Sequence, residues 1–393
     1  MLIVTKLVEL NKMLSLNTSK ALAYKQWLFY IACGVFYSFS LAKAEALPLE
    51  SYKTHILASG LQSPWSMVEL PDGRWLITER DGHVVIVKGK TQVRVKLNLD
   101  GLYFAGQGGL LDILLAPDYS QSKTVFFTFA QGTLKSNRLV IAKAQFNNNV
   151  FSKPSIIYTV ATDKGTPQHY AGRALILPDN TLLISSGDGF DYREHAQVIT
   201  SQLGKILRIN LDGTLPNDNP FIAHQNPDAH AVFSFGHRNP QGLVFDYDAK
   251  RIVSHEHGPA GGDELNFINA GMNYGWPVIT YGKDYSQALI SPFTQYKGMQ
   301  QPSLNWTPSI APSGMVYYGS KHTAFTSLQQ QVLITTLVDR KVYAVNLANN
   351  SLSQTAIFPE TSGRLRDIAI TKAGNIAILG DGKNATLVLK AAN

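Results

Sequence analysis

Cysteine and charged residues are both scarce in this sequence. Only one of its 393 residues is a cysteine, Cys33, and only 16% carry a charged side chain. The residues after Cys33 contain no thiol. They can therefore form no disulfide, zinc–thiolate centre or cysteine nucleophile, because each of these needs one. Hydrophobic residues make up 45% of the chain, which is typical of a globular protein with a large core.

Long hydrophobic runs are also missing, except for one near the N-terminus. Residues 27–41 (WLFYIACGVFYSFSL) contain no charge, and Ala-Lys-Ala follows at 42–44. A membrane-spanning helix needs about 20 apolar residues, whereas a shorter run before an A-x-A triplet is typical of a secretory signal peptide.

We therefore expect residues 1–44 to be a signal peptide that is cleaved after Ala44. This interpretation predicts a periplasmic protein with no stable membrane insertion after cleavage. Met1 and Met13 are both candidate starts, since the segment before the apolar run is long for a signal peptide. An uncleaved anchor and a lipid attached to Cys33 are the alternatives.

The basic charge of the whole chain comes largely from this N-terminal segment. The chain has 35 Lys and Arg against 28 Asp and Glu, a formal net charge of +7. Removal of residues 1–44 lowers these counts to 30 and 27, and so leaves about +3. A nucleic-acid partner thereby loses its main support, and we expect none.

A tight turn followed by a β-rich run recurs along the mature chain. The copies lie at residues 70–79, 116–129, 177–185, 247–254, 331–347 and 372–379. Each β-branched run supplies a strand that cannot bury both faces alone. Six such units without a long amphipathic helix predict an all-β fold, namely a six-bladed β-propeller with four-stranded antiparallel blades over residues 45–393. Two separate β-sandwiches are the alternative, but no Pro/Ser-rich linker divides the chain.

Two segments between strands carry polar chemistry that a scaffold does not need. FGHRNPQGL at 235–243 presents Arg238 and Asn239 beside a proline and two glycines, which suits an anionic or carbonyl-bearing ligand. In SHEHGPAGGDELNF at 254–267, the bend at Gly258-Pro259 can expose backbone carbonyls near two carboxylates, and Ca²⁺ prefers such oxygens. A polar turn and an ordinary long loop are the respective alternatives.

Two further features are candidates for catalysis or binding. His169 and Asp188 flank the third unit, and a hairpin there would bring them together as a general base and its orienting carboxylate. Arg364 and Arg366 would face the same way on a strand and so need a shared anion. Isolated strand-end residues and solvated rim residues are the alternatives. The Gly-rich run at 106–110 lacks the strand-to-helix context of a dinucleotide site.

A series of motifs along the chain resembles one family. In order they are GQGGLL, HYAGR, SSGDG, LGKILRINLDG, GHRNPQGL, HGPAGGDELN, NYGWP, APSG and GRLRD. Together, over about residues 52–390, they resemble the soluble, PQQ-dependent aldose sugar dehydrogenases of the glucose/sorbosone dehydrogenase type. The resemblance implies a six-bladed propeller that binds pyrroloquinoline quinone (PQQ) and Ca²⁺ at the mouth of its channel and oxidises aldoses at C1 to the lactone.

The resemblance also implies roles for individual residues. His169 would take the proton of the C1 hydroxyl while Asp188 orients its imidazole, with Arg238 at the quinone oxygens. The cofactor-binding residues would be Gln107, Arg238, Asn239, Ser309, Arg364 and Arg366, with the last two at the cofactor carboxylates. The Ca²⁺ ligands would be the carbonyls of Gly258 and Pro259, with Glu264 and Tyr274 at a second calcium.

One position departs from the family pattern. Where the family often has a cofactor-binding lysine, this chain has Val338, which cannot pair with a carboxylate, although Arg340 or Lys341 could reach in. The alternatives to a dehydrogenase are a calcium-dependent propeller lactonase and a non-catalytic sugar-binding propeller. We expect an aldose substrate, a periplasmic electron acceptor that the sequence does not identify, and a monomer, since no long insertion separates the blades.

Overall fold

The computed structural model describes residues 47–348 and 352–393. The expected signal peptide at residues 1–44 lies outside this part of the chain, and its cleavage remains a prediction. Within the described residues, no helix combines the length and apolar character needed to cross a bilayer.

Six antiparallel sheets follow one another along the chain. The first three are β2 (Pro64–Glu69), β3 (Trp75–Glu79), β4 (His83–Lys88) and β5 (Thr91–Lys96); β6 (Leu110–Leu115), β7 (Thr124–Gly132), β8 (Asn137–Asn147) and β10 (Ser155–Thr159), with β9 (Val150–Phe151) on β8; and β11 (Ala174–Ile176), β12 (Thr181–Ser186), β13 (Lys205–Asn210) and β14 (Val232–Phe235).

The remaining sheets complete the ring. They are β15 (Pro240–Asp246), β16 (Arg251–Glu256), β17 (Asp263–Ile268) and β18 (Leu304–Trp306); β19 (Pro312–Tyr318), β20 (Gln331–Thr336), β21 (Val342–Asn346) and β22 (Ser353–Ile357); and β23 (Leu365–Ile370), β24 (Ile376–Gly380), β25 (Lys383–Ala392) and β1 (Tyr52–Gln62). The described helices are single turns: α1 (Tyr119–Ser122) and 3₁₀ turns at Arg193–Gln197, Pro227–Ala229 and Thr326–Leu328.

This architecture confirms the predicted six-bladed β-propeller with four-stranded antiparallel blades. The first strands of neighbouring blades contact each other around the central channel. The N-terminal strand β1 pairs with β25 and so completes the last blade. Apolar clusters lie between neighbouring blades, as where Leu76 and Ile86 of one blade pack against Ile113 and Phe127 of the next.

The antiparallel pairing decides where the functional side chains lie. Because the second strand of a blade runs back along the first, the start of the first strand and the end of the second are at the same end of the propeller. The pair Leu365 and Gly380, which face each other at that end of the last blade, shows this register. Residues just before a first strand and just after a second strand therefore meet at one mouth of the channel.

Candidate functional site

A cavity of about 500 Å³ lies at this mouth. Most of its lining lies just before or at the start of the first strands, or just after the second strands, as the pairing requires. Tyr285, from the long loop between β17 and β18, is an exception. The polar side chains that line it and matter below are Arg80, Gln107, Asn239, Arg364, Arg366 and Asp381. Four of these six were expected at a cofactor site, while Arg80 and Asp381 were not.

His169 and Asp188 form a buried pair, as the hairpin argument predicted. Nδ1 of His169 lies 2.6 Å from Oδ1 of Asp188, and both residues are at most 4% exposed. Asp188 also accepts hydrogen bonds from the backbone N–H of Phe190 at 2.8 Å and from Nε1 of Trp276 at 2.7 Å. The carboxylate is therefore held from three sides, and it holds the imidazole in one orientation.

The environment of His169 favours the neutral imidazole. Burial lowers the pKa of His169 below its ordinary value, and the nearby positive charge of Arg238 lowers it further, although the bond to Asp188 opposes both effects. Among the described residues, Nε2 of His169 has no hydrogen-bond partner. A neutral imidazole whose Nδ1 is held by a carboxylate can accept a proton at Nε2.

The carboxamides of Gln107 and Asn239 hold the loop that carries His169. Oε1 of Gln107 accepts the N–H of His169 at 2.9 Å, and Oδ1 of Asn239 accepts the N–H of Ala171 at 3.1 Å. Both His169 and Ala171 have a positive φ, close to 50°, which is a conformation that needs such support. The side-chain nitrogens, Nε2 of Gln107 and Nδ2 of Asn239, have no partner among the described residues and remain as donors at the cavity wall.

Arg364 and Arg366 are not a pair of uncompensated charges. Nε of Arg364 donates to Oδ2 of Asp381 at 2.8 Å, and Nε and Nη2 of Arg366 donate to Oδ1 of the same carboxylate at 3.0 and 2.9 Å. The shared anion that their spacing required is therefore supplied within the chain, by Asp381 at the end of β24. Both arginines still line the cavity, and the three guanidiniums of Arg80, Arg364 and Arg366 outnumber this one carboxylate.

Arg238 lies beside the cavity rather than in its lining. Its Nη1 donates to the carbonyls of His257 at 3.1 Å and Gly258 at 2.7 Å, and its guanidinium lies 5.3 Å from the Trp276 ring centroid. The carbonyl of Gly258, an expected Ca²⁺ ligand, thus already accepts one hydrogen bond. It keeps a second lone pair, because a carbonyl oxygen can accept twice.

Asp263 organises the loops around Gly258, and the sequence did not single out this role. Its carboxylate accepts the N–H of Gly258 at 2.9 Å, the N–H of Ile310 at 2.9 Å and the hydroxyl of Ser309 at 2.6 Å. Ser309 was expected to contact the cofactor, but it faces Asp263 and is not part of the cavity lining. Pro259 is buried and likewise lies outside that lining.

Three of the four expected metal ligands, namely Gly258, Glu264 and Tyr274, lie at a small adjacent cavity. Glu264 and Tyr274 line it together with Glu256 and Arg238. Removal from water raises the pKa of Glu264 to about 8, and the neighbouring charge of Glu256 adds to this effect. The hydroxyl of Tyr274 donates to the carbonyl of Phe267 at 2.7 Å, so the phenol itself is engaged within the fold. Two ionised carboxylates this close repel each other, and a hard divalent cation bound between them would remove the repulsion.

Val338 lines the main cavity and is 59% exposed. Neither of the basic residues that could have replaced a lysine there is part of the lining, because Arg340 and Lys341 lie further along the turn. Nζ of Lys341 instead lies 3.3 Å from Oδ1 of Asp339. The departure from the family pattern is therefore not compensated by these two neighbours.

The residues that sequence reasoning missed share one property. All of them lie in turns or long loops, and they reach the site only through the packing of one blade against the next. They are Arg80, Trp276, Tyr285 and Asp381. Arg80 follows β3 directly and donates to the carbonyl of Gly108 at 2.9 Å. For Arg80 and Asp381 the usable signal was position, since each directly follows a second strand and so faces the same mouth as the residues before a first strand. Trp276 and Tyr285 lie in the loop between β17 and β18 and carry no such signal.

Comparisons with known proteins agree with this geometry. A family model described as glucose/sorbosone dehydrogenase matches residues 61–389. The aldose sugar dehydrogenase YliI of Escherichia coli (strain K12) is 31% identical over 342 residues, which are 85% of this chain and 91% of that protein.

Two solved structures extend this similarity to the fold. The soluble aldose sugar dehydrogenase of Escherichia coli in the apo form is 29% identical and superposes with a TM-score of 0.81 over 87% of this chain and 100% of that one. The PQQ-bound aldose sugar dehydrogenase of Streptomyces coelicolor is 27% identical, with a TM-score of 0.69 over 87% of this chain and 98% of that one.

Proposed function

Because the chain belongs to the glucose/sorbosone dehydrogenase family, we propose that it oxidises aldose sugars at C1 to the lactone, with PQQ as cofactor and Ca²⁺ as the metal. The observation that carries the proposal is the His169–Asp188 pair beside a cavity lined by three arginines. The similarity to a PQQ-bound aldose sugar dehydrogenase supports the choice of cofactor.

The cavity residues suit a planar, multiply anionic cofactor. Arg364 and Arg366 are fixed by Asp381 and present further N–H groups towards the cavity, and guanidiniums bind carboxylates with good geometry. Gln107 and Asn239 add neutral donors from the other side. When bound, PQQ supplies a two-electron acceptor for the hydride from the sugar.

His169 performs the proton transfer in this proposal. Its Nε2 accepts the proton of the C1 hydroxyl, and Asp188 stabilises the imidazolium that results through Nδ1–H. Because burial keeps the imidazole neutral at physiological pH, the base is ready before the sugar binds. General-base assistance of this kind contributes about 10²- to 10⁴-fold in rate.

Calcium would be held by oxygens of the 256–264 region. The carbonyls of Gly258 and Pro259 are the candidate ligands next to the cofactor, where the ion would act as a Lewis acid. Glu264, with Glu256 and Tyr274 at the same small cavity, is the candidate for a second, structural ion. Hard oxygen donors of this kind are what Ca²⁺ requires.

The cellular setting of the proposal follows from the N-terminal segment. A cleaved signal peptide would place the enzyme in the periplasm, where it would pass electrons to an acceptor in that compartment and act as a monomer. Native mass spectrometry of the exported protein would establish both the cleavage site after Ala44 and the oligomeric state.

Dye reduction by the purified exported protein tests the activity. We expect turnover of glucose or another aldose only with both PQQ and Ca²⁺ added, and loss of turnover in His169→Ala. Arg364→Ala should lose cofactor binding and activity together, which separates this proposal from a lactonase or a sugar-binding propeller. Full cofactor-dependent turnover in Arg364→Ala, or lactone hydrolysis without PQQ, would contradict it.

A further inference from the structure

Lys164 is a buried lysine that the proposed proton transfer does not use. It precedes His169 in the segment that leads to the base, and it is 3% exposed. Its Nζ donates to the carbonyl of Thr166 at 2.5 Å and to Oδ1 of Asn137 at 3.2 Å. Within the part of the chain that the structure describes, both acceptors of this ammonium are neutral, and no carboxylate forms an ion pair with it.

The ring of Tyr170 lies against this ammonium. Nζ of Lys164 is 3.5 Å from the ring centroid of Tyr170, which follows His169 directly and lines the main cavity. The Tyr170 hydroxyl donates to Oδ1 of Asn137, the same oxygen that accepts from Lys164. Burial raises the pKa of Tyr170 above its ordinary value, so the phenol stays neutral and supplies no counter-charge. An aromatic face attracts a cation without neutralising it.

Lys164 also packs against the loop that carries Asp188. A Cβ on Gly189 would lie 2.7 Å from Cδ of Lys164, so a side chain at that position would displace the lysine. The hydroxyl of Thr166 donates to the carbonyl of Gly189 at 2.5 Å. The segment that begins at Lys164 is therefore tied to the loop whose carboxylate, Asp188, orients His169.

The charges around His169 act in opposite directions. Burial lowers the pKa of His169, the bond to Asp188 raises it, and the positive charges of Arg238 and Lys164 lower it further. Burial also lowers the pKa of Lys164 to about 7, and the charge of Asp188 opposes this effect. The ammonium form therefore predominates below pH 7, the range in which His169 would gain a proton. Asp163, which precedes Lys164, is exposed, so solvent screens its charge.

We infer that Lys164 is a positioning residue for the proposed base: its buried charge, held between Tyr170 and the Asp188 loop, keeps the His169 imidazole unprotonated and ready to accept the proton of the sugar. The inference rests on the proposed function, because it concerns the same histidine. A positive charge near an imidazole disfavours the imidazolium. A cation outside the cavity lining would thus set the acidic limit of the reaction.

Histidine NMR of the protein without cofactor tests the inference independently of turnover. The ¹⁵N-histidine-labelled protein is titrated from pH 4.5 to 8, and the His169 signal is identified by its loss in His169→Gln. Lys164→Met removes the charge but keeps a long, unbranched side chain, so the His169 midpoint should move to higher pH. Lys205→Met is the matched control, because that buried lysine is held by three backbone carbonyls and is not among the groups that shift His169.

Asn137→Asp asks the same question without removing the lysine. It places a carboxylate where Oδ1 of Asn137 lies, 3.2 Å from Nζ of Lys164, at nearly constant side-chain volume. The ammonium then has a counter-charge, so the His169 midpoint should again move to higher pH. If Lys164→Met does not fold, this variant decides the inference by the same criterion.

Kinetics show whether the charge matters for the reaction. With PQQ and Ca²⁺ saturating, the acidic limb of kcat/KM for glucose should move to higher pH in Lys164→Met. A His169 midpoint that does not rise in this variant, or that rises equally in Lys205→Met, would overturn the inference and leave the dehydrogenase intact. Absence of any aldose oxidation by the wild type would count against the proposed function instead, and the NMR titration would still decide the role of Lys164.

Discussion

The indole of Trp276 donates to Oδ2 of Asp188 at 2.7 Å, on the oxygen that does not contact His169. The same ring lies 5.3 Å from the guanidinium of Arg238. Trp276 therefore joins the residue that orients the proposed base to a residue expected at the quinone oxygens. Trp276 belongs to the NYGWP segment at residues 273–277, far along the chain from Asp188. The hydrogen bond between Trp276 and Asp188 therefore links two blades.

Replacing Trp276 by phenylalanine should impair the proposed base His169, because the change removes the indole N–H but keeps an aromatic ring at this position. The change leaves one oxygen of a buried carboxylate without its donor, and a hydrogen bond to a charged group contributes about 1.5–3 kcal/mol. We expect kcat to fall about 10- to 100-fold while the Kd of PQQ, measured by titration, changes little. Trp306→Phe is the matched control, since that indole donates to Gln354 away from the site. Equal activity of the two variants would remove the positioning role of Trp276.

The pH profile should report the low pKa of His169. Because burial lowers this pKa from its ordinary value of 6.5, the imidazole stays neutral on acidification to below pH 6.5. We therefore expect the acidic limb of kcat/KM to have its midpoint below 6.5, measured from pH 4.5 to 8. A midpoint above 6.5 would show that another group limits the reaction.

Asp188→Asn extends this test, because Asp188 opposes the effect of burial. Loss of the carboxylate removes an influence that raises the pKa of His169, so the midpoint should move to still lower pH. The plateau should fall about 10²- to 10⁴-fold, since the imidazolium loses its stabilising partner. Asp191→Asn, an exposed neighbour in the same loop, is the control and should keep the wild-type profile.

Much of the fold could be predicted from local sequence, and the reason is visible in the blades. The predicted β-rich runs are the second strands β3, β7, β12, β16, β20 and β24, each buried and each preceded by a tight turn. Such strands have a strong local pattern. Strand β1 has no such signal, because its partner Lys383–Ala392 lies more than three hundred residues away and its own side chains are mostly exposed.

The site shows the same division between local and distant information. His169, Asp188, Arg364 and Arg366 occur in motifs that could be recognised along the chain. Asp381 could not be assigned as their partner, since it becomes adjacent to the arginines only through the pairing of β23 with β24. The charged groups that line the cavity come from several blades. Their balance therefore cannot be predicted from any single motif.

Arg173 should be important for stability because it joins three blades. Its Nη1 lies 3.2 Å from both Asp112 on β6 and Asp367 on β23, and Arg173 itself directly precedes β11. Arg173→Met would leave two buried carboxylates without their cation, a change that costs about 3–5 kcal/mol. Urea denaturation at pH 7 should show this loss. Arg138→Met, which breaks an exposed pair with Asp163, should cost less than about 1 kcal/mol.

The defect of Arg173→Met should also depend on pH in a defined direction. Burial already raises the pKa of Asp367 to about 6, and Arg173 opposes this rise. Without the arginine the pKa should rise further, so Asp367 becomes protonated as the pH falls from 7 to 5 and the repulsion from Asp112 disappears. The difference in unfolding free energy between wild type and variant should therefore shrink on acidification. A difference that stays constant with pH would show that the lost packing of Arg173 on Trp65 dominates instead.

Val338→Lys should strengthen cofactor binding if the cavity receives an anionic cofactor. The side chain is 59% exposed at the cavity wall, and the carbonyl of the adjacent Leu337 accepts a long hydrogen bond from Arg364 at 3.4 Å. An ammonium at this position adds one exposed ion pair, worth at most about 1 kcal/mol, so the Kd of PQQ should fall about two- to fivefold. Because such a pair is screened by salt, the gain should shrink between 0.05 and 0.5 M NaCl. Val338→Gln, of similar length but neutral, should show neither effect, and an equal gain in that variant would mean that side-chain length rather than charge is what the wild-type cavity lacks.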